Sequence, residues 1–245
     1  MTPRRDAAVW LAGMAVLMLN GCASTPGPKG DPLEGMNRAV FSFNEGFDEA
    51  LLRPVATAYH DVLPEFVRTS VENFFNNFND AWSAANHLLQ AKPAAALEMG
   101  LRFSVNTVFG LGFVNVAGAG IERRQEDFGQ TLGRWGMPPG PYLVLPILGP
   151  STLRDTAGLT LDIQAVPESF LERGAGRYAL GALQVISVRS SLLAATRALD
   201  ELALDKYSLV RDGYLARRRN LVYDGNPPEE PEEPDTDAPE GTPPK

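Results

Sequence analysis

The chain has 245 residues, a formal net charge of −8 and one cysteine. The length suits one good-sized domain, and the acidic balance gives no reason to expect a nucleic-acid partner. A lone cysteine excludes a disulfide within the chain and a cysteine-rich metal site.

The first 21 residues have the pattern of a secretory signal peptide. Arg4 and Arg5 precede a mostly apolar run from Ala7 to Leu19, and a positive start before such a run is typical of export signals. As a helix this run would cover about 20 Å, less than the roughly 30 Å hydrocarbon core of a bilayer. We therefore predict a cleaved signal and no permanent transmembrane helix here.

The residues after the apolar run, Leu19-Asn20-Gly21-Cys22, resemble the lipobox of bacterial lipoproteins. The resemblance implies that the chain is cleaved before Cys22 and that lipid is attached to its thiol. No thiol is then free for disulfides, catalysis or metal binding. An ordinary secreted protein with an incidental cysteine is the alternative. Ala23 favours the outer membrane by analogy with enterobacterial sorting, and residues 22–30 then form a lipidated tether below a periplasmic body.

From Asp31, apolar residues recur at steps of three and four, which predicts an amphipathic helix. Asp31 suits the N-cap and Pro32 the first helical position, and Arg53-Pro54 is expected to end the helix. Its apolar stripe comprises Leu33, Met36, Val40, Phe43, Phe47 and Leu51. Further helices are predicted after Pro64, near Pro93, after Pro167 and over Asp205–Tyr223. Period-two alternation is scarce, so we expect a mainly α protein with little or no β structure beyond a short hairpin at 142–148.

The helix after Pro64 combines an apolar stripe with an uncharged polar face. The stripe comprises Val67, Val71, Phe74, Phe78 and Trp82, and the polar face includes Asn73, Asn76, Asn77 and Asn79. Because a charge at membrane depth is costly, such a face favours a helix that lies in lipid or lines a hydrated path. A soluble helix whose asparagines make caps and turns is an equal alternative. Asn73, Asn76 and Asn77 are our candidate channel residues on this helix.

Two uncharged apolar stretches interrupt the middle of the chain. One is 110–120, with Gly110, Gly112, Gly118 and Gly120, and the other is Trp135–Ser151, which proline and glycine break repeatedly. Loops usually stay polar because they run over the surface. These two are therefore expected to rest on lipid, on a partner or inside a lumen, with a buried loop as the alternative. The four glycines complete our set of candidate channel or loop residues.

Four long stretches in order carry a resemblance to a known family. They are DPLEGMNRAVFSFNEGFDEALLRPVATAYHDVLP, RFSVNTVFGLGFVNVAG, DFGQTLGRWGMPPGPYLVLPILGPSTLRD and DKYSLVRDGYLARRRNLV. They are similar to the MlaA (VacJ) phospholipid-transport lipoproteins of Gram-negative outer membranes. The likeness covers roughly residues 31–224, which we take as one helical domain.

The resemblance implies a ring-like, mostly helical protein in the inner leaflet of the outer membrane, beside trimeric porins. It also implies that phospholipids mislocalised to the outer leaflet pass through a central amphipathic channel to the periplasmic lipid carrier MlaC. The run 110–120 and the following 121–124 are placed near a hairpin loop of that channel. A structural lipoprotein or porin scaffold that moves no lipid is the alternative.

A lipid-cleaving enzyme is the opposing hypothesis. Gly149-Pro150-Ser151 begins like a nucleophile elbow but lacks the second glycine, and His60 and His87 are the only imidazole bases. Both histidines fall within helical patterns, where structural histidines are commoner. The glycines complete no dinucleotide-binding motif, and metal-ligand spacing is absent. We therefore expect no enzyme activity, no cofactor and no metal.

The C-terminal end contains an acidic tail and a basic cluster before it. From Gly225 the last 21 residues include seven prolines and seven acidic residues, so the tail 225–245 is predicted to be disordered. Arg217-Arg218-Arg219 is either a solvated helix end or a contact for acidic headgroups or an acidic partner. Replacing all three arginines with glutamine is expected to leave the fold intact but to weaken membrane or partner association.

Overall fold

A computed structural model gives the structure of the protein and describes residues 31–229. The predicted signal peptide, the lipidated tether with Cys22 and residues 230–245 of the tail lie outside the described residues. The helices are α1 (Glu34–Phe47), α2 (Arg53–Val62), α3 (Glu65–Leu89), α4 (Pro93–Val108), α5 (Phe128–Arg134), α6 (Leu153–Asp162), α7 (Ala175–Ser191), α8 (Leu193–Leu202) and α9 (Lys206–Val222). Short 3₁₀ turns lie at Ala117–Ala119 and Pro167–Phe170, and strands β1 (Tyr142–Leu145) and β2 (Gly149–Thr152) form an antiparallel hairpin. The predicted mainly α fold with little β structure is confirmed.

The prediction that Arg53-Pro54 ends the first helix is wrong. The chain continues from α1 into a π-helical turn, Asp48–Leu52, and then directly into α2. A proline inside an α-helix removes one hydrogen bond and clashes with the carbonyl four residues earlier. The wider π turn changes the hydrogen-bond register just before Pro54, which then lies in the first turn of α2.

Two asparagines on α1 hold the β-hairpin against this helix. The Asn37 amide donates to the Tyr142 carbonyl at 3.0 Å and its oxygen accepts the Val144 N–H at 2.9 Å. Two helical turns further along α1, the Asn44 amide donates to the Leu145 carbonyl at 2.9 Å, and its oxygen accepts the Ile147 N–H at 2.7 Å. The two side chains therefore supply the backbone partners that a third strand would otherwise give β1.

The packed elements form a closed circuit, which agrees with the ring-like arrangement that the sequence led us to expect. Starting from α1, the hairpin leads to α9 and α6, these pack on α5, and α5 contacts α3. Helix α3 contacts α7, and α7 packs on α2, which continues α1. Helix α4 lies along α3 in the most extensive helix–helix contact of the described chain.

The interior of this circuit is mainly polar, and much of the exterior is apolar. Among residues 31–229, ten apolar side chains are buried against nineteen polar or charged ones, which reverses the usual distribution of a water-soluble domain. On α1 Asn37 is fully buried, whereas Phe43 in the predicted apolar stripe is 56% exposed. On α4 Arg102 and Asn106 are buried, whereas Leu97 is 74% exposed. Helices α1 and α4 thus turn their apolar stripes outward.

Two helices in the middle of the chain were not predicted from the sequence. Asp127 is the N-cap of α5, where its side chain accepts the Gln130 N–H at 2.8 Å, and Thr152 is the N-cap of α6, where its hydroxyl accepts the Asp155 N–H at 3.2 Å. The two helices meet at glycines: a Cβ on Gly158 would lie 2.5 Å from the Gly129 nitrogen. This close approach requires glycine.

Among the helices of residues 31–229, no single one is long and apolar enough to span a bilayer. The bent pair Ala175–Ser191 and Leu193–Glu201, which meets at 49°, satisfies the same requirements of length and composition when the two helices are taken together.

Candidate functional site

The buried face of α3 forms one wall of the polar interior. Residues three or four apart share a helix face, and this spacing brings together Asn77, Asp80, Ser83, Asn86 and His87, all at most 4% exposed. Phe74, Phe78 and Trp82 of the predicted apolar stripe lie on the other side, where Phe74 stacks on Phe113 with ring centroids 5.4 Å apart. The buried asparagines Asn77 and Asn86 therefore belong to a polar helix face and do not serve as helix caps.

A buried carboxylate with two arginines links α3 to the loop after α4. Asp80 accepts from Arg102 Nε at 3.2 Å and from Arg123 Nε at 2.8 Å. Arg102 also donates to Asn115 Oδ1 at 3.0 Å and to the Ile121 carbonyl. A buried charge is stable only when it is paired and hydrogen-bonded, and this cluster meets both conditions for Asp80 and Arg102.

The run 110–120 forms a compact loop with polar anchors at its base and apolar residues at its tip. Asn106 accepts the Ala117 N–H at 2.9 Å, and the Asn73 amide donates to the Phe113 carbonyl at 3.1 Å. Phe109, just before the run, and Leu111 within it are 74% and 78% exposed. Such an exposed uncharged apolar cluster is typical of a surface that contacts a partner or lipid.

The predicted site residues fall into two places, α3 and this loop. Gly110 is closed in, because a Cβ would lie 2.2 Å from the Val114 carbonyl oxygen, and Gly112 has φ +76°. Gly118 lies beside the Asn115 side chain, whereas a Cβ on Gly120 would meet no atom within 4 Å. On α3, Asn77 donates to Thr107 Oγ1 at 2.9 Å, and Asn76 lines a cavity whose other lining residues include Lys92, Glu122 and Arg124. Whether these residues line a channel stays a prediction.

A second polar cluster surrounds Glu126, just before α5. The Glu126 carboxylate accepts from Gln90 at 2.9 Å and from Gln130, and Lys92 Nζ lies 3.4 Å away. The side chain of His87 is only 2% exposed, and its Nε2 lies 3.2 Å from the Arg124 carbonyl oxygen. These contacts join α3, the start of α4 and α5. The polar groups involved are distant in sequence, so local helix patterns could not predict that they pair.

Arg218 on α9 joins the N-termini of α5 and α6. Its guanidinium donates to Asp155 Oδ1 at 2.8 Å and Oδ2 at 3.0 Å, and to Asp127 Oδ1 at 3.0 Å. Burial acts to raise the pKa of Asp155, but the hydrogen bonds and charges of Arg218 and Arg154 outweigh it and hold that pKa below its usual value. Asp155 is therefore a stably ionised carboxylate.

The structure separates the three arginines at the end of the last helix. The Arg218 side chain, 11% exposed, binds Asp127 and Asp155, and Arg219 donates to the Pro228 carbonyl. Arg217 is exposed at the edge of a cavity and has no hydrogen-bond or ion-pair partner within residues 31–229. The expectation that all three could be replaced without affecting the fold therefore fails at Arg218, because two carboxylates depend on it.

The lining of three neighbouring cavities changes from apolar in the first to charged in the third. A cavity of about 530 Å³, the apolar cavity, is lined mainly by aromatic and aliphatic side chains, among them Phe78, Trp82, Phe103, Leu161 and Phe170. It shares Trp82 and Ala165 with a cavity of about 410 Å³, the central cavity, which adds polar groups such as Asn79, Gln125, Asp162 and Arg217. The central cavity shares Gln125 and Glu126 with the charged cavity, about 1130 Å³, lined by groups that include Asn76, Lys92, Glu122 and Arg124. The gradient suits a ligand with an apolar and a polar end.

Trp82 and Asp162 form the boundary between the apolar and central cavities. The Trp82 indole N–H donates to Asp162 Oδ1 at 2.7 Å, and the same oxygen accepts the Phe128 N–H at 2.9 Å. Burial raises the pKa of Asp162 despite these two donors. The indole is therefore fixed with its polar edge toward the central cavity and contributes to the walls of both.

The residues considered for hydrolysis do not form a catalytic group. Ser151 is buried on β2, where its hydroxyl pairs with Thr156 Oγ1 at 2.9 Å. His60 is exposed beside Asp61, and His87 contacts the Arg124 carbonyl. Within the described part of the chain, neither histidine is a hydrogen-bond partner of Ser151, and His, Cys, Asp and Glu form no group of three or more that could hold a metal ion.

Comparisons with known proteins agree with the resemblance seen in the sequence. The family model for the MlaA lipoprotein matches residues 29–221. The chain is 33% identical over 236 residues to the intermembrane phospholipid transport system lipoprotein MlaA of Escherichia coli (strain K12), with 92% of each chain covered. It is 32% identical over 224 residues to the lipoprotein of the same description from Haemophilus influenzae, covering 86% of this chain and 89% of that one. A solved structure, described as the structural basis for maintenance of bacterial outer membrane lipid asymmetry, matches with a TM-score of 0.69 and 34% identity, covering 79% of this chain and 100% of its own.

Proposed function

The chain belongs to the MlaA lipoprotein family, and we propose on that basis that it is an outer-membrane lipoprotein that transports phospholipid. In this proposal it removes phospholipids that have reached the outer leaflet and passes them to a periplasmic carrier, so that the two leaflets keep different compositions. The observation that supports it most is the reversed burial, with a polar interior inside a ring of outward-facing apolar stripes.

A phospholipid needs an apolar surface for its acyl chains and a polar, hydrated route for its headgroup. Exposed apolar side chains in water would cost about 25 cal/mol per Å², so the stripes with Phe43 and Leu97 fit a protein that lies in the hydrocarbon of a bilayer. The buried polar face of α3 then faces the inside of the ring, where the headgroup would pass. No chemical step is needed, and we infer that the protein is not an enzyme.

The three cavities define the route that we propose. Acyl chains would rest in the apolar cavity beside Phe78 and Phe170, and the headgroup would occupy the central cavity beyond Trp82. The charged cavity, with Lys92 and Arg124, would then be the exit to the aqueous side. Of the candidate channel residues, Asn76 lines the charged cavity and would contact a headgroup there, whereas Asn77 and the 110–120 loop line none of the three cavities.

We infer the membrane location and the partners of the protein from its family and from the N-terminal lipobox. Lipid on Cys22 would hold the body at the inner leaflet of the outer membrane, where each buried methylene adds about 0.8 kcal/mol to anchoring. We propose a trimeric porin as the membrane partner and the carrier MlaC as the acceptor on the periplasmic side. Transport toward that acceptor needs no nucleotide if the carrier binds phospholipid more tightly.

Transfer from reconstituted protein tests the proposal. The full-length lipidated protein would be placed in vesicles with labelled phospholipid and mixed with the purified carrier, and label on the carrier would be measured. Filling the boundary between two cavities with Ala165→Trp should slow transfer several-fold, whereas Ala179→Trp on the exposed surface of α7 should not. Released fatty acid would indicate an enzyme, and intact lipid that never leaves the vesicles would indicate the scaffold alternative.

A further inference from the structure

We propose that the central cavity recognises a zwitterionic phospholipid headgroup, with Arg217 binding the phosphate and Asp162 binding the ammonium group. This inference rests on the proposed function and adds a headgroup preference to it. It follows from the state of the charged groups that line the cavity, most of which already have partners. The two that remain available have opposite signs.

Arg217 is the cation that the cavity leaves unpaired. The neighbouring Arg218 is saturated, because its guanidinium already donates to Asp127, Asp155 and Gln130. Within residues 31–229 no carboxylate or carbonyl accepts from Arg217, which stands at the exposed edge of the same cavity. A planar guanidinium with free donors matches the oxygens of a phosphate diester.

Asp162 is the carboxylate that the cavity leaves with an available oxygen. Its Oδ1 accepts both the Trp82 and the Phe128 N–H groups, whereas Oδ2 has no hydrogen-bond partner in the described chain. The two other carboxylates of the cavity are engaged, Glu126 with Gln90 and Lys92, and Asp127 with Arg218. Burial disfavours the charged form of Asp162 and raises its pKa, so a cation at Oδ2 would stabilise the ionised carboxylate.

The position of the pair relative to the apolar cavity fits one end of a phospholipid. Trp82 lies in the wall of both cavities, with its N–H on Asp162 and its ring beside Phe78 and Phe170. Tryptophan is suited to such a boundary because it is apolar on its ring and polar at its N–H. Acyl chains in the apolar cavity would therefore bring the headgroup to Asp162 and Arg217. A phosphoglycerol headgroup would gain only the Arg217 contact and would face the Asp162 charge without a cation.

Competition between two lipids tests the assignment. Purified full-length protein in detergent, freed of lipid, would be mixed with equal amounts of phosphatidylethanolamine and phosphatidylglycerol that carry the same acyl chains, and bound lipid would be counted by native mass spectrometry. We expect the wild type to prefer phosphatidylethanolamine by roughly tenfold, the ratio that one charge-assisted hydrogen bond supplies. Asp162→Asn keeps the acceptor for Trp82 and should bring that ratio close to one. Arg217→Gln should weaken binding of both lipids by roughly tenfold while leaving the ratio unchanged.

Matched controls lie away from the cavities. Asp61→Asn and Arg197→Gln remove the same charges from exposed positions and should change neither affinity nor preference. A wild type that binds both lipids equally, or an Asp162→Asn variant that keeps the preference, would overturn the headgroup assignment and leave phospholipid transport standing. A wild type that binds neither lipid would overturn the proposed function itself.

Discussion

Replacing Arg218 with methionine should destabilise the protein strongly, although the residue lies in a run of three arginines. The substitution keeps much of the side-chain volume but removes the Arg218 guanidinium from Asp155, which is 8% exposed, and from Asp127. Removing one partner of a buried ion pair typically costs about 3–5 kcal/mol. Asp155 keeps its hydrogen bonds to Arg154 and to the Tyr214 hydroxyl at 2.8 Å, so we expect the lower end, about 3 kcal/mol. In a domain of this size that corresponds to a fall in Tm of about 6–12 °C.

Thermal unfolding of the full-length protein in detergent, followed by near-ultraviolet circular dichroism, measures this effect. The adjacent Arg217→Met is the matched control, because Arg217 is exposed and has no partner in the described residues, and surface substitutions usually change stability by less than about 0.5 kcal/mol. Equal Tm values for the two variants would refute the claim that Arg218 ties α5, α6 and α9 together.

Three further predictions concern packing, the hairpin and pH. Gly158→Ala should cost about 1–3 kcal/mol, because its Cβ would meet the Gly129 backbone, whereas Gly213→Ala, with nothing within 4 Å, should be neutral or stabilising in the same Tm measurement. Asn37→Leu should leave two β1 backbone groups without partners and raise amide hydrogen exchange over 142–147, and unchanged exchange there would show that the side chain does not hold the hairpin. The pKa of Asp155 is lower in the folded protein than its usual 3.8, so its contribution to stability is complete above that pH and is lost as the pH falls toward the folded value. Tm measured down to pH 3 should therefore fall more steeply for the wild type than for Asp155→Asn.

Local patterns in the sequence predicted the helices that carry long stripes. The steps of three and four from Leu33 and from Val67 correspond to α1 and α3, and Asp205 is the N-cap of α9, where its side chain accepts the Ser208 N–H at 3.5 Å. Two short helices escaped prediction, although Thr152 followed three residues later by Asp155 is the pattern of a capping box. The surrounding stretch is rich in proline and glycine, which predict turns and outweigh this local helix signal.

The direction in which each helix faces could not be read from the stripes. A stripe such as Met36 and Phe43 is the same whether it packs into a core or faces lipid, and only the structure shows Asn37 inside and Phe43 outside. The polar clusters were also beyond local reasoning, because Asp80 and Arg123 are 43 residues apart. Such residues come together because the helices pack into a closed ring, and the helix propensity of each segment does not determine that packing.

Lipid composition at the surface of the living cell is the most direct test of the transport proposal. The gene would be deleted in its own bacterium, and phospholipid in the outer leaflet would be measured by its accessibility to added phospholipase in intact cells. We expect phospholipid to accumulate in the outer leaflet of the deletion strain and to return to the parental level when the wild-type chain, but not the Ala165→Trp variant, is restored. A deletion strain with the parental amount of surface phospholipid would contradict the proposal that this protein transports phospholipid.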